Sequence, residues 1–194
     1  MNEEVTTYYL EMNRLSEFKR KNSSVEGFEI IKCDIPLPEY NRFFYLTVGS
    51  PWQWIDKLSW SLERWREYVE RDDLHTWVGY LHGTPAGYFE LEKQPDNSVL
   101  LAYFGLIPQF IGKGLGSILL SKAIECAWEM GPSRVWVHTC TRDHAHALGN
   151  YQARGFKIYK TEVDPVREPP LHIGETALTP PTPLSQHWER GEKS

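Results

Sequence analysis

The chain has 194 residues, of which 41% are hydrophobic and 24% are charged, and this length suits one α/β domain better than two. Its formal net charge of −5, without any cluster of Lys and Arg, disfavours nucleic-acid binding, because neutralising phosphates requires a basic face. The three cysteines are far apart and form no Cys-x-x-Cys pair, which disfavours a disulfide framework and a zinc site.

Residues 1–27 predict no regular element, because polar and aromatic residues are mixed there without a long period. Acidic residues follow Met1 where a secretory signal would carry a basic patch. No apolar run in the sequence is long enough to span a bilayer as a helix. These features favour a cytoplasmic protein that has no membrane partner.

Residues 28–33 predict the first strand, which ends before Pro38. A helix is then predicted from Ser50 to about residue 70. Ser50 can cap it, Pro51 suits the first helical position, and Gln53 completes a capping box. Apolar residues recur at helical spacing through this segment, at Trp54, Leu58, Leu62, Trp65 and Val69.

The middle of the chain predicts a hairpin followed by a strand, helix and strand. Residues 76–81 and 86–92 are short strands joined by a turn-forming His-Gly-Thr-Pro sequence. Residues 99–106 are almost all apolar, which indicates a central strand covered on both faces. An apolar stripe predicts a helix over 115–130, and 134–139 form the next strand, parallel to the one before the helix.

The last predicted elements are a short helix over 144–154, closed by Gly155 in a left-handed conformation, and a strand over 156–163. Pro and Thr then become frequent without any hydrophobic period. We therefore assign residues 1–175 to one domain and predict a disordered Pro/Thr-rich tail at 176–194.

Aromatic residues are unusually abundant, with eight Trp and ten Tyr, most of them before residue 90. Large aromatic side chains commonly fill a core, because each can bury ~150–250 Å². They can equally form the walls of a pocket for a substrate. The sequence leaves both interpretations open.

The stretch 107–116 carries the main chemical signal, with Gly112, Gly114 and Gly116 at alternate positions between a strand and a helix. Glycines there allow main-chain N–H groups to converge on an anion at the helix N-terminus. A tight structural connection would need the same glycines. The stretch is neither a nucleotide-triphosphate P-loop nor a GxGxxG dinucleotide motif.

Together with a second segment, this stretch resembles the GNAT superfamily of acetyl-CoA-dependent N-acetyltransferases. Gly114 and Gly116 match the family's R/Q-x-x-G-x-G/A motif, although Ile111 stands in place of Arg or Gln. The second segment is similar to N-x-x-A-x-x-x-Y-x-x-x-G-F, with Tyr151 in place and His144 instead of Asn; its other matching residues are Ala147, Gly155 and Phe156.

The resemblance implies an α/β (α+β) fold with a mixed, mostly antiparallel sheet, a splayed parallel pair at its centre, and helices on both faces. It also implies direct transfer of an acetyl group from acetyl-CoA to an amine of a small molecule or peptide. Residues implied to bind the coenzyme are Phe104, Gly105, Leu106, Gly112, Lys113, Gly114, Leu115, Gly116, Ser117, His144 and Tyr151.

The resemblance also implies that Tyr151 gives a proton to the departing coenzyme A thiolate. The general base is not fixed, and the candidates are Glu90, Glu92, His138, Asp143 and His144. Glu90 alternates with Tyr88 and Glu92, a pattern that favours a solvated face of the hairpin over catalysis. No helical His pair marks a metal site.

Two other function classes remain open at this point. The missing Arg or Gln at position 111 suits a non-catalytic module that binds acetyl-CoA or a protein, and the glycines alone would suit a plain interaction domain. The sequence identifies neither the acceptor nor the oligomeric state, and a monomer or a homodimer would fit.

Overall fold

The computed structural model describes residues 4–165, which form one sheet of seven strands and four α-helices that pack against it. The strands are β1 (Glu4–Met12), β2 (Phe28–Lys32), β3 (Leu74–Leu81), β4 (Thr84–Lys93), β5 (Ser98–Leu106), β6 (Arg134–Cys140) and β7 (Lys157–Pro165). The helices are α1 (Pro38–Gly49), α2 (Leu62–Val69), α3 (Leu115–Glu129) and α4 (Ala147–Ala153). The predicted domain boundary at 175 and the predicted tail lie outside the described residues.

The sheet is mixed, with the strand order β2-β3-β4-β5-β6-β1-β7. Every neighbouring pair is antiparallel except β5 and β6, which are parallel and are connected through α3. A parallel pair needs such a crossover, because the chain must return to the same end of the sheet. The predicted fold class is therefore confirmed, including its single parallel pair.

The pairing between β5 and β6 is short. It joins Ser98–Leu100 to Arg134–Trp136 and then stops, whereas β4 stays paired with β5 as far as Leu106. The remaining parts of β5 and β6 therefore diverge on the β6 side of β5, and main-chain groups there have no ladder partner. This opening in the middle of the sheet positions the candidate site.

The helices cover both faces of the sheet, as the alternation of side chains along β4 shows. Phe89 and Leu91 pack in the core formed with α3, and Tyr88 stacks on Phe44 of α1 on the other face. Glu90 points to the same side as Tyr88, because successive residues of a strand face opposite ways. Both cores are anchored by the same central strand.

The helix predicted from Ser50 is wrong in its first half. Ser50 ends α1, a helix that begins with Pro38 at its first position, and only α2 forms inside the predicted segment. Its cap is Ser61, whose hydroxyl accepts a hydrogen bond from the Arg64 amide at 3.2 Å. The Ser-Pro signal was misleading because it also suits the short 3₁₀ turn that follows α1.

The absence of regular structure predicted for residues 1–27 is also wrong, because β1 lies between β6 and β7. Only Leu10 and Met12 are fully buried in this strand, so its polar residues hide the usual alternation. Pairing with β6 on one side and with β7 on the other, rather than the local sequence pattern, makes this segment a strand.

Most other predicted elements are confirmed within one to three residues, including the β3–β4 hairpin, β5, α3, β6 and β7. Gly155 ends α4 with a φ of +104°, as predicted. A Cβ atom at this position would collide with the Glu17 carbonyl oxygen. In the described part of the chain, no helix has the length and apolar character needed to cross a membrane.

Candidate active site

A cleft of about 790 Å³ lies where β5 and β6 diverge. This volume suits a small-molecule ligand of the size of a cofactor. One wall is formed by β5 and the N-terminus of α3, and the other by β6, the loop after it and α4. The loop between α1 and α2 closes a third side, and β1 contributes Val5 and Thr7.

The N-terminus of α3 is built to receive an anion. Gly114 is the cap residue, with a φ of +78°, and no side chain satisfies the first N–H groups of the helix. Gly112 is also left-handed, at +84°, and a Cβ atom on either glycine would meet no atom within 4 Å. The unpaired N–H groups and the helix dipole therefore face open space at the cleft.

Most of the predicted coenzyme-binding residues lie together on this cleft. The lining residues among them are Phe104, Gly105, Leu106, Gly112, Gly114, Gly116, Ser117, His144 and Tyr151. Lys113 and Leu115 do not line it. Leu115 is fully buried in the core, and the Lys113 ammonium lies 5.3 Å from the Phe110 ring. At the start of α3, residues 114, 116 and 117 therefore face the cleft and residue 115 faces the sheet.

Tyr151 on α4 lines the cleft and is only 6% exposed. Its ring is held edge-on by Phe104 and Phe156, each with a centroid distance of 6.0 Å. Burial raises the pKa of the Tyr151 hydroxyl well above its ordinary value, and the charge of Asp143 raises it further. The hydroxyl therefore stays protonated at neutral pH and can donate a proton into the cleft.

His138 of β6 projects into the cleft and keeps substantial accessible surface there. The surrounding walls still remove enough water to lower the pKa of its imidazole below the ordinary value, although Asp143 and Asp56 oppose this shift. Its ring is therefore neutral at pH 7 and can accept a proton. Sequence reasoning included His138 only as one of several bases.

Asp143 fastens the end of β6 to the loop that precedes α4. Its carboxylate accepts hydrogen bonds from the Thr139 hydroxyl at 2.6 Å and from the Cys140 amide at 3.0 Å. Both hydrogen bonds are accepted by the same carboxylate oxygen, Oδ2. Asp143 thus holds the cleft wall in shape and supplies negative charge near His138 and Tyr151.

His144 lies at the mouth of the same loop. Its ring meets Trp52 edge-on at 5.1 Å, and its Nδ1 accepts a hydrogen bond from the His146 amide at 3.1 Å. Because Nδ1 accepts this hydrogen bond, the ring hydrogen lies on Nε2, which can donate a hydrogen bond to a ligand. His144 is better placed to contact a bound molecule than to serve as the base.

Glu90 departs furthest from its predicted surroundings. The solvated face favoured by the alternation is wrong, because Glu90 is 1% exposed and lies under α1 and α2. Its two oxygens accept hydrogen bonds from Asn41 at 2.8 Å and from Tyr68 at 2.7 Å. Glu90 does not line the cleft; Tyr103, its partner on β5, lies on the cleft wall.

The loop between α1 and α2 supplies cleft residues that the pattern analysis placed in a helix. Gln53 takes a left-handed conformation with a φ of 56° and turns the chain across the cleft. Trp52, Gln53, Trp54 and Asp56 line the cleft. The left-handed conformation of Gln53 cannot be predicted from the sequence. The pattern therefore identified the segment that lines the cleft but wrongly predicted it to be helical.

Cysteine and metal chemistry have limited support in the described residues. Cys140 lines the cleft, but burial raises the pKa of its thiol, and the charge of Asp143 adds to this shift. A raised thiol pKa leaves little reactive thiolate at neutral pH. Within residues 4–165, no group of three or more His, Cys, Asp or Glu side chains is arranged to hold a metal ion.

Comparison with protein families identifies a match over residues 37–156, more than half of the chain, to a family described as "Acetyltransferase (GNAT) family". This region begins at α1 and ends after α4, so it contains both segments that carry the sequence resemblance. A search among curated proteins finds no match.

Solved structures with the same fold include a GCN5-related N-acetyltransferase from Kribbella flavida, with a TM-score of 0.59 and 16% identity over 81% of this chain. A GCN5-related N-acetyltransferase from Sphaerobacter thermophilus has a TM-score of 0.64 and 14% identity over 82% of this chain. The chain spans about half the length of these two proteins, 56% and 50% respectively. A GNAT family acetyltransferase from Streptococcus pneumoniae TIGR4 is 20% identical over 68% of this chain and 88% of its own, with a TM-score of 0.51.

Proposed function

This chain belongs to the GNAT acetyltransferase family, and from that premise we propose that it transfers an acetyl group from acetyl-CoA to a primary amine of a small molecule or peptide. The observation that carries the proposal is the cleft between β5 and β6, where an uncapped helix N-terminus and a protonated tyrosine share one cavity. Anion binding and proton donation are the two functions that a thioester donor with a pyrophosphate group requires.

The coenzyme side of the cleft supports the proposal. Gly112, Gly114 and Gly116 leave room for phosphate oxygens against the first N–H groups of α3. The unpaired edge of β5 can bind an extended pantetheine arm through main-chain hydrogen bonds. Ile111 contributes no charge, so phosphate binding would depend on main-chain donors.

Two side chains fit the proton transfers. We assign Tyr151 as the donor to the departing thiolate, because its raised pKa keeps it protonated until the sulfur becomes basic. We assign His138 as the acceptor of the amine proton, directly or through water, because its lowered pKa keeps it neutral. The predicted catalytic role of His144 becomes contact with bound coenzyme, since its Nδ1 is engaged.

Direct transfer in a ternary complex suits the cleft better than an acetyl-enzyme. The amine nitrogen attacks the thioester carbon, the carbon–sulfur bond breaks, and the products are an amide and a thiol. The single thiol on the cleft wall within residues 4–165, Cys140, has its pKa raised rather than lowered.

The test is thiol release from acetyl-CoA in the presence of a panel of amines, combined with calorimetric titration of acetyl-CoA alone. Binding and amine-dependent thiol release are the expected results. Binding without release from any amine would support the alternative, a non-catalytic module that uses acetyl-CoA as a ligand. Absence of binding by the folded protein would overturn the proposal. Sedimentation of the same sample distinguishes a monomer from a homodimer.

The pH dependence of the reaction tests the base. Protonation of His138 removes the acceptor, so kcat/KM expressed for the neutral fraction of the amine should fall as the pH drops through the lowered pKa of this imidazole, below 6.5. His138→Gln should remove this acidic limb and lower kcat/KM by about 10²-fold or more. His75→Gln is the matched control, because burial also lowers the pKa of His75, on β3 outside the cleft. A limb that persists in His138→Gln would contradict the assignment.

A further inference from the structure

Next to the cleft, the Lys57 side chain places its ammonium among three aromatic rings. The distances from Nζ to the ring centroids are 4.3 Å for Trp60, 4.7 Å for Tyr68 and 4.9 Å for Tyr103. Each lies within the range over which a cation is attracted to a ring face. We call these three residues the aromatic cage.

A buried carboxylate lies beside the aromatic cage. Glu90 is close enough for its charge to stabilise the Lys57 ammonium, and the Tyr68 hydroxyl connects cage and carboxylate through a 2.7 Å hydrogen bond. The Tyr88 hydroxyl on the same face of β4 is buried and, within the described residues, has no hydrogen-bond partner. Burial raises the pKa of the Glu90 carboxyl, although the hydrogen bonds from Tyr68 and Asn41 and the charge of Lys57 oppose this shift. The Arg64 guanidinium lies 4.4 Å from the centroid of the Trp60 ring. The surroundings thus combine ring faces, a buried carboxyl group and an unsatisfied polar group.

The aromatic cage is continuous with the cleft. Tyr103 belongs to both, since it lines the cleft and contributes a ring to the cage. Asp56, which precedes Lys57, also lines the cleft. A molecule that enters from the α1–α2 loop would therefore reach the cage and the thioester side of the cleft together.

The main chain at Lys57 is anchored separately from its side chain, so the side chain can leave the aromatic cage. Its main-chain amide donates to the Tyr45 hydroxyl at 3.0 Å, so the loop is anchored independently of the ammonium. Loss of water lowers the pKa of the ammonium, although the charges of Glu90 and Asp56 oppose this shift. Desolvation of the Lys57 ammonium therefore offsets part of the attraction of the rings, so this side chain can be exchanged for another cation that the rings also attract.

We propose that the aromatic cage of Trp60, Tyr68 and Tyr103 is a binding site for an ammonium group of the acceptor, which Lys57 occupies until the acceptor displaces it. This inference rests on the proposed acetyl transfer. Lys57 acts as a tethered competitor, and the faces of the three rings attract either cation.

The chemistry of the cage restricts the acceptor class. Ring faces attract an amine only in its charged form, whereas the nitrogen that attacks the thioester must be neutral. The nitrogen in the cage is therefore not the one that is acetylated. The geometry points to an acceptor with two separate amino groups on a flexible chain, one held as ammonium and one free to react.

Tetramethylammonium tests the cage without any need for catalysis, because it binds ring faces and cannot be acetylated. Calorimetric titration compares the wild type with Lys57→Met, which removes the tethered cation and keeps an apolar side chain. The variant is expected to bind at least about ten-fold more tightly, since a tethered group competes at millimolar effective concentration. Equal or weaker binding by folded Lys57→Met would overturn the proposal.

Two further variants locate the binding in the Lys57→Met background. Trp60→Leu is expected to weaken tetramethylammonium binding roughly five- to thirty-fold, because it removes one ring face. Trp128→Leu removes a half-buried tryptophan of α3 that belongs to neither the cage nor the cleft, and should leave the affinity unchanged. Equal losses in the two variants would place the cation elsewhere and overturn the proposal. Thermal melting of each variant verifies that it is folded.

Substrate use tests whether the cage serves the acceptor. Thiol release with diaminohexane should exceed that with hexylamine at least about ten-fold in kcat/KM, and Trp60→Leu should remove the difference. Equal rates with the two amines would overturn the role of the cage in acceptor binding. Tetramethylammonium binding without thiol release from any amine would support the cage and overturn the proposed acetyl transfer instead.

Discussion

Tyr151→Phe is expected to lower kcat by about 10²- to 10⁴-fold while leaving the affinity for acetyl-CoA nearly unchanged. Without the Tyr151 hydroxyl, the departing sulfur would form a thiolate near the apolar rings of Phe104 and Phe156, where a bare negative charge is unfavourable. The Tyr151 hydroxyl is the protonated group at this position, and its removal leaves the ring packing intact. Steady-state kinetics with calorimetric titration of acetyl-CoA measures both effects.

The matched control is Tyr80→Phe, which also deletes a partly buried hydroxyl. That hydroxyl is hydrogen-bonded to Tyr40 at 2.8 Å and lies outside the cleft. The control should lose about 0.5–1.5 kcal/mol of stability and keep its kcat. If Tyr151→Phe lowers kcat no more than Tyr80→Phe does, another group donates the proton.

Gly116→Trp is expected to weaken acetyl-CoA binding by at least a hundred-fold, equivalent to about 2.7 kcal/mol. Gly116 lines the cleft in the first turn of α3, and a Cβ atom there would meet only the Leu106 Cδ1 atom, at 3.6 Å. The main chain therefore accepts a Cβ atom at this position, and we expect the indole that follows it to block the phosphate position. Gly114 is a poorer choice, because its positive φ would strain any side chain.

Gly116→Ala separates steric block from any effect on the helix. Alanine is preferred to glycine in helices by up to about 1 kcal/mol, so this variant should melt at an equal or higher temperature. It should still bind acetyl-CoA, since the motif of the resembling family accepts alanine at this position. Comparable loss of binding in both variants would show that the glycine itself, rather than open space, is required.

The parts of the site that could be predicted are those whose geometry is local. Alternate glycines determine the shape of the α3 N-terminus over a few residues, and Tyr151 lies on a helix whose end Gly155 marks. Both features depend on residues within one turn of each other. For the same reason the sequence predicted β5, α3 and β6 and their parallel arrangement correctly.

The parts that could not be predicted depend on contacts between distant segments. Trp60 and Tyr103 meet around Lys57 only because the loop between α1 and α2 folds over β5. Glu90 followed a pattern typical of an exposed hairpin, and its burial results from α1 and α2 folding over it. The two interpretations of the abundant aromatic residues are both partly realised, since the same rings fill a core and surround a cation.

The position of β1 also has a consequence for synthesis on the ribosome. This strand is made before its two neighbours in the sheet, β6 and β7, which come latest among the strands of residues 4–165. β1 must therefore wait, unpaired, while the segments between it and β6 emerge, and such long sequence separation slows folding. Because Val5 and Thr7 form part of the cleft wall, the ligand cavity is completed only when this final closure of the sheet has occurred.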